Sequence, residues 1–280
     1  MPSECRPRNP MHPRPALAAR LLASAALAAL LALSVAGCKT MGDDITGSIS
    51  TADTPRTEAD WRSALDVWGA RYRENPNDAD VAIAYARALR ATDQRAQAVA
   101  VLQQATIRNS HNMALLGAYG RALADAGDYP QALDVLTRAH TPDNPDWRIL
   151  NAQGAVLDQL GRYNEAQQHY SAALKIMPNQ PSVLSNLGLS YALTKDLPRA
   201  EATLRLAMAQ PNAAPKVRQN LALVVGLQGR FAEAEQIARA DLPPDQAAAN
   251  VAYLREMLAQ RGQLAKKGSR PFMPAPDTGT

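Results

Sequence analysis

The sequence predicts an all-α solenoid of antiparallel helix pairs, and three observations predict it. Six alanines recur 34 residues apart: Ala64, Ala98, Ala132, Ala166, Ala200 and Ala234. A small residue stands twelve positions before five of them (Ala86, Gly120, Gly154, Gly188, Ala222), and another alanine stands seven positions after four (Ala105, Ala139, Ala173, Ala207). Apolar bulk lies between them at helical spacing, as with Leu150, Leu157, Tyr163 and Tyr170 of the unit 147–180, which puts it on one face of each helix. A period of this length marks a repeat array. One unit cannot bury its own apolar face, so stacked neighbours share a single continuous core.

Ahead of the repeats, the stretch 21–36 is rich in Ala and Leu and carries no charge, while Arg6, Arg8, Arg14 and Arg20 precede it against Glu4 alone. A basic start, a short apolar run and small residues at its end describe a bacterial export signal. Met11-His12-Pro13-Arg14 supplies a second, shorter basic start. A permanent membrane span needs roughly 20 apolar residues, and this run is shorter. It ends "LSVAGC" at 33–38, which resembles the lipobox of bacterial lipoproteins. The resemblance implies a cleaved signal peptide over 1–37, a diacylglyceryl group on the Cys38 sulfur, and attachment to a membrane through lipid. Position 39 holds Lys rather than the Asp that retains lipoproteins in the inner membrane of enteric bacteria. By that analogy the resemblance implies the outer membrane, facing the periplasm.

Cleavage would change the charge balance. The formal net charge is +4, and the discarded segment holds four arginines against one glutamate, which leaves the chain from Cys38 near +1. That is no nucleic-acid signature. The two cysteines are Cys5, in the discarded segment, and Cys38, so no disulfide is expected despite an oxidising compartment.

The remaining elements follow in order. Residues 38–56 are small, polar and aperiodic; such a coil is a flexible tether with a reach of roughly 25 Å. The solenoid is expected over 57–262. It opens with a half-repeat that keeps Ala64, Trp68 and Pro76 in register, and five full repeats follow. In the fifth, Arg218 stands for an apolar residue and Asp241 for the second alanine, which should loosen the close contact there. A final amphipathic helix is expected over 244–262, and the Pro-rich stretch 263–280 reads as a disordered tail.

The segments "AGDYPQA", "LGRYNEA" and "QGRFAEA", which end at Ala132, Ala166 and Ala234, and nearly every position of the unit 147–180 closely resemble the tetratricopeptide repeat. The resemblance implies that Gly154 faces Ala166 within a unit and that Ala173 admits the next unit's first helix. Gly161 is suited to end the first helix and Pro178 to break the chain after the second. Tyrosines and tryptophans are then expected in the core.

Residues for chemistry are sparse. No zinc-protease motif, nucleophile elbow or phosphate loop occurs. His111, His140 and His169 are 29 residues apart, out of step with the repeat, and read as unrelated surface positions. No enzyme activity, metal or cofactor is expected.

Tetratricopeptide arrays bind extended peptides along the surface made by their first helices, and the resemblance places Arg87, Arg121, Asn151, Asp158, Ser185, Asn186, Lys216, Gln219 and Asn220 on or near it. The candidate peptide-binding set is Arg121, Asn151, Ser185, Asn186, Lys216 and Asn220. Asn186 and Asn220 hold one position in successive units, and an amide offers both donor and acceptor to a peptide backbone. The carboxylate clamp of chaperone-type repeats is matched at Asn186 and Lys216. Asn151, Ala155 and Asn220 stand where it has lysine, asparagine and arginine, so that clamp is not expected. A lipobox, a tether and little but repeats together resemble the TadD group of tight-adherence (Flp) pilus assembly lipoproteins. The resemblance implies a non-enzymatic scaffold whose partner is a protein, the outer-membrane pilus secretin. Other outer-membrane assembly scaffolds, of pilotin or β-barrel-assembly type, and a regulatory partner of a peptidoglycan enzyme remain open alternatives.

Overall fold

The structure is a computed structural model that describes residues 57–268. The expected signal peptide, Cys38, the tether and the end of the tail lie outside the described residues. Twelve helices follow one another: α1 Glu58–Glu74, α2 Ala79–Ala91, α3 Arg95–Arg108, α4 Met113–Ala126, α5 Tyr129–Thr137, α6 Trp147–Gln159, α7 Tyr163–Ile176, α8 Pro181–Leu193, α9 Leu197–Met208, α10 Pro215–Leu227, α11 Phe231–Ala238 and α12 Pro244–Gly268. Among the described residues the β-structure is an isolated bridge between Thr141 and Asn144. No described helix is long and apolar enough to cross a membrane. Five helix pairs, α2/α3 to α10/α11, stand between α1 and α12, the all-α solenoid that the 34-residue period predicts.

Local chemistry sets the helix starts. Thr57 and Asp60 form a reciprocal capping box on α1, satisfying two otherwise orphaned amides. Asp78, Asn112 and Asp146 cap α2, α4 and α6 through side-chain oxygens, whereas α8 and α10 begin on Pro181 and Pro215, whose fixed φ suits the first turn.

Between the two helices of every pair one residue is left-handed. These are Asp93, Gly127, Gly161, Lys195 and Gly229, with φ from 63° to 87°. The next amide reaches back to close the first helix, as from Arg162 to the Leu157 carbonyl at 2.9 Å and from Asp196 to the Tyr191 carbonyl at 2.9 Å, a Schellman-type ending. Two of the five sites lack the glycine that this conformation favours. Lys195→Gly should relieve the strain and stabilise the chain by on the order of 0.5–1 kcal/mol. In a scan against the parent protein, the melting midpoint should rise by about 1–3 °C.

The repeat alanines sit where helices touch. Ala98, Ala132, Ala166, Ala200 and Ala234 are fully buried. The space before Gly154 is filled by the Tyr170 ring, one turn beyond Ala166, and a Cβ there would lie 2.6 Å from Tyr170 Cε1. Gly120 and Gly188 likewise admit Leu136 and Leu204. In α1 the register alanine Ala64 is only half-buried, and the capping helix is anchored by buried Trp61 and by Gly69 against the Tyr85 ring. In the fifth repeat Arg218 and Asp241 meet each other in an ion pair.

The core forms two large clusters that meet at α6. Ile149 and Val156 join the amino-terminal cluster, Trp147, Leu150 and Leu157 the carboxy-terminal one, and Leu133 packs against both. The second helix is short in two repeats, α5 of the second and α11 of the fifth, and in the second the sequence shows why. Pro142 and Pro145 follow α5, and proline disfavours continued helix. At the carboxy-terminal end, Leu254 of α12 fills the space over Gly226, and Ala247 and Val251 are buried beside it. α12 continues to Gly268 rather than ending at 262.

Candidate peptide-binding groove

The first helices of successive pairs touch one another: α2 with α4, α4 with α6, α6 with α8, α8 with α10. The second helices make no comparable contact with each other. The stack is therefore tighter on the first-helix side, which makes α2, α4, α6, α8 and α10 its inner face.

Four candidate residues come together there as two equivalent rungs. The Asn186 amide of α8 donates to Asn151 Oδ1 of α6 at 3.0 Å, and the Asn220 amide of α10 donates to Ser185 Oγ of α8 at 2.9 Å. Asn151 and Ser185 occupy one repeat position and Asn186 and Asn220 the next, so each rung joins residues one repeat plus one residue apart. Asn151, Ser185 and Asn220 are buried, while Asn186 is half-buried. The rungs thus tie neighbouring repeats, and Asn186 is the member most open to the groove. Lys216, at the start of α10, is exposed. It stands apart from the rungs as a solvent-facing cation.

Arg121 belongs to a different place on the same face. With Arg90 of α2 and Arg148 of α6 it borders a shallow pocket over Ala124, Ala152 and Ala155, closed on one side by Asn151. Arg90 and Arg148 are missed by clamp-based sequence reasoning. The spacing could have revealed part of this site, because Arg90 donates to Asp125 at 2.5 Å across the same one-repeat-plus-one separation.

Asp158, expected near the groove, instead joins three helices. The Tyr170 hydroxyl of α7 donates to Oδ2 at 2.9 Å and the Ser190 hydroxyl of α8 to Oδ1 at 2.7 Å. Burial pushes the Asp158 carboxyl up to about 6, which the two hydrogen bonds only partly offset. Burial, with the Asp158 carboxylate next, holds the Tyr170 phenol protonated far into alkali. Between the unfolded carboxyl value of about 3.9 and a folded value of about 6, the folded chain keeps a proton that the unfolded chain has lost. This group therefore favours folding less as pH rises through that window, and the loss levels off above it. Asp158→Asn removes the dependence. The stability of the variant relative to the parent should climb from pH 4 to pH 7 by up to about 3 kcal/mol, read by urea unfolding at each pH. A flat difference would contradict the assignment.

The histidines also need correction. His140 and His169 are not unrelated: the charge of His140 adds to burial in lowering the His169 pKa, with Glu165 opposing. Among the described residues no three His, Cys, Asp or Glu side chains gather as a metal site.

Comparison with known proteins agrees with this geometry. Residues 154–194 match the TPR repeat family. No curated protein matches the chain. Among solved structures, PilW, a widely conserved type IV pilus biogenesis factor, superposes with a TM-score of 0.61 at 15% identity, over 69% of this chain and 91% of that one. The Cut9-Hcn1 hetero-tetramer of the APC/C gives 0.60 at 14% identity, over 72% of this chain and 40% of that one. The human IFIT1 dimer with PPP-AAAA gives 0.54 at 16%, over 64% and 45%. The chain therefore spans less than half the length of the latter two. At these identities the likeness is one of fold. Residues 154–194 thus carry a TPR repeat, and the described residues form a TPR-like solenoid of helix pairs.

Proposed function

We propose that this chain is a non-enzymatic envelope lipoprotein, anchored through Cys38 to the outer membrane and facing the periplasm. On this reading its inner face holds an extended peptide of an envelope partner during assembly of a tight-adherence (Flp) pilus apparatus, the partner being the outer-membrane secretin. The observation that carries the reading is the pair of amide rungs on the inner face, with Asn186 half-open to the groove. Backbone-directed amides bind with loose sequence demands, which suits transient escort of an unassembled subunit. The export signal and "LSVAGC" at 33–38 supply the anchor. The fold shared with PilW over most of that chain supports pilus biogenesis, and it equally favours a second reading, pilotin-like service to a type IV pilus secretin.

Two acyl chains or more hold a protein stably at a membrane, each buried methylene contributing about 0.8 kcal/mol. Mass spectrometry of the mature amino terminus should find lipidated Cys38, and Cys38→Ala should leave a longer, unlipidated precursor. An unmodified Cys38, or a cut elsewhere, refutes the anchor. Deleting the gene should abolish pili and leave the secretin monomeric. Persistent secretin multimers in the deletion strain refute the assembly role.

A further inference from the structure

We infer that the pocket between α2, α4 and α6 is a carboxylate subsite, which takes an Asp or Glu side chain of a peptide lying along the inner face. The inference rests on the groove reading above and specifies the partner's chemistry.

Three guanidinium groups border this pocket, those of Arg90, Arg121 and Arg148, and one carboxylate, Asp125. Asp125 is engaged already, by Arg90 at 2.5 Å. Arg148 is different. Its guanidinium lies over the Trp147 ring, 4.7 Å being the corresponding distance for Arg71 over Trp68 and 4.9 Å the distance here. Its Nε is buried without a hydrogen-bond partner, and its nearest carboxylate, Asp146, is 3.8 Å from Nη1. A buried guanidinium N–H left unmade is costly, and a carboxylate is the acceptor that matches its geometry best. The floor is alanine at 124, 152 and 155, which leaves room for a short acidic side chain and no competing acceptor on the floor itself.

The occupant's form follows from what adjoins the pocket. Asn151 closes one side and is also the first member of the amide rungs. A chain that places a carboxylate among the arginines therefore continues towards half-open Asn186, whose amide suits a peptide backbone. That continuity favours an acidic residue inside an extended segment over an isolated anion. The pocket shares Asn151 and Ala155 with the positions of the chaperone-type clamp, where neither supplies a cation; its charge comes instead from Arg90, Arg121 and Arg148.

The test uses the full chain in detergent micelles and fluorescence anisotropy of labelled twelve-residue peptides. One carries Asp-Glu-Asp at its centre and an amidated end. A second carries Asn-Gln-Asn, and a third is neutral except for a free terminal carboxylate. The acidic peptide should bind at least tenfold more tightly than the Asn-Gln-Asn peptide, with the preference shrinking in high salt. Arg121→Gln with Arg148→Gln should erase the preference while leaving the neutral peptide's affinity unchanged. Asn186→Ala with Asn220→Ala should weaken both peptides alike. Equal binding of acidic and neutral peptides overturns the subsite and spares the groove. A preference that survives the double arginine substitution, or that only the terminal carboxylate produces, also overturns it. No binding of any peptide overturns the groove reading together with it.

Discussion

Gly154→Ala is expected to destabilise the chain by about 1–3 kcal/mol, although it adds one methyl group and changes no charge. A Cβ at this position would lie 2.6 to 2.8 Å from three carbons of the Tyr170 ring. The ring cannot retreat, because it is fully buried and its hydroxyl is held by Asp158. Tyr170→Ala should cost more, about 3–5 kcal/mol, since it opens a cavity at the meeting of α6, α7 and α8. The two substitutions should not add. With the ring gone the new methyl has room, so the double variant should be less destabilised than the sum, a coupling that urea unfolding of the four proteins measures. Strict additivity would place Gly154 elsewhere.

Asn186→Ala with Asn220→Ala is the larger functional prediction. Half-open Asn186 contributes about 0.5–1.5 kcal/mol as an amide contact to a peptide, and buried Asn220 holds α10 beside it, so losing both should lower partner capture roughly tenfold or more. The same substitutions break both rungs, so some stability is lost as well. Asn151→Ala with Ser185→Ala breaks the same rungs while leaving half-open Asn186 in place. It should cost similar stability and spare much more of the capture. If both pairs weaken capture equally, the rungs serve only to hold the repeats together.

The alanine period was legible because the same close helix contact recurs at each repeat, and only a small residue satisfies it. The Tyr170 ring over Gly154 was not, since its place depends on how far a ring reaches along the facing helix. The left-handed positions at Asp93 and Lys195 were hidden for a plainer reason: neither is glycine, and the conformation is imposed by flanking helices. The candidate amides were found as positions, but their bonds to one another were missed. Three polar pairs on adjacent first helices lie 35 residues apart rather than 34, Arg90–Asp125, Asn151–Asn186 and Ser185–Asn220, while Asp158 and Ser190 lie 32 apart. A search for polar pairs at the period plus one would have found all three. Arg148 escaped because its surroundings, an aromatic neighbour and an alanine floor drawn from two helices, exist only after folding.

A photo-crosslinking residue placed in living cells at Ala155 on the inner face, and separately at exposed Gln168 on α7, tests the groove most directly. The expected result is a covalent adduct containing secretin peptides from position 155 and none from position 168. An adduct formed equally from both positions, or no secretin adduct from the inner face while the protein remains folded and anchored, would contradict it.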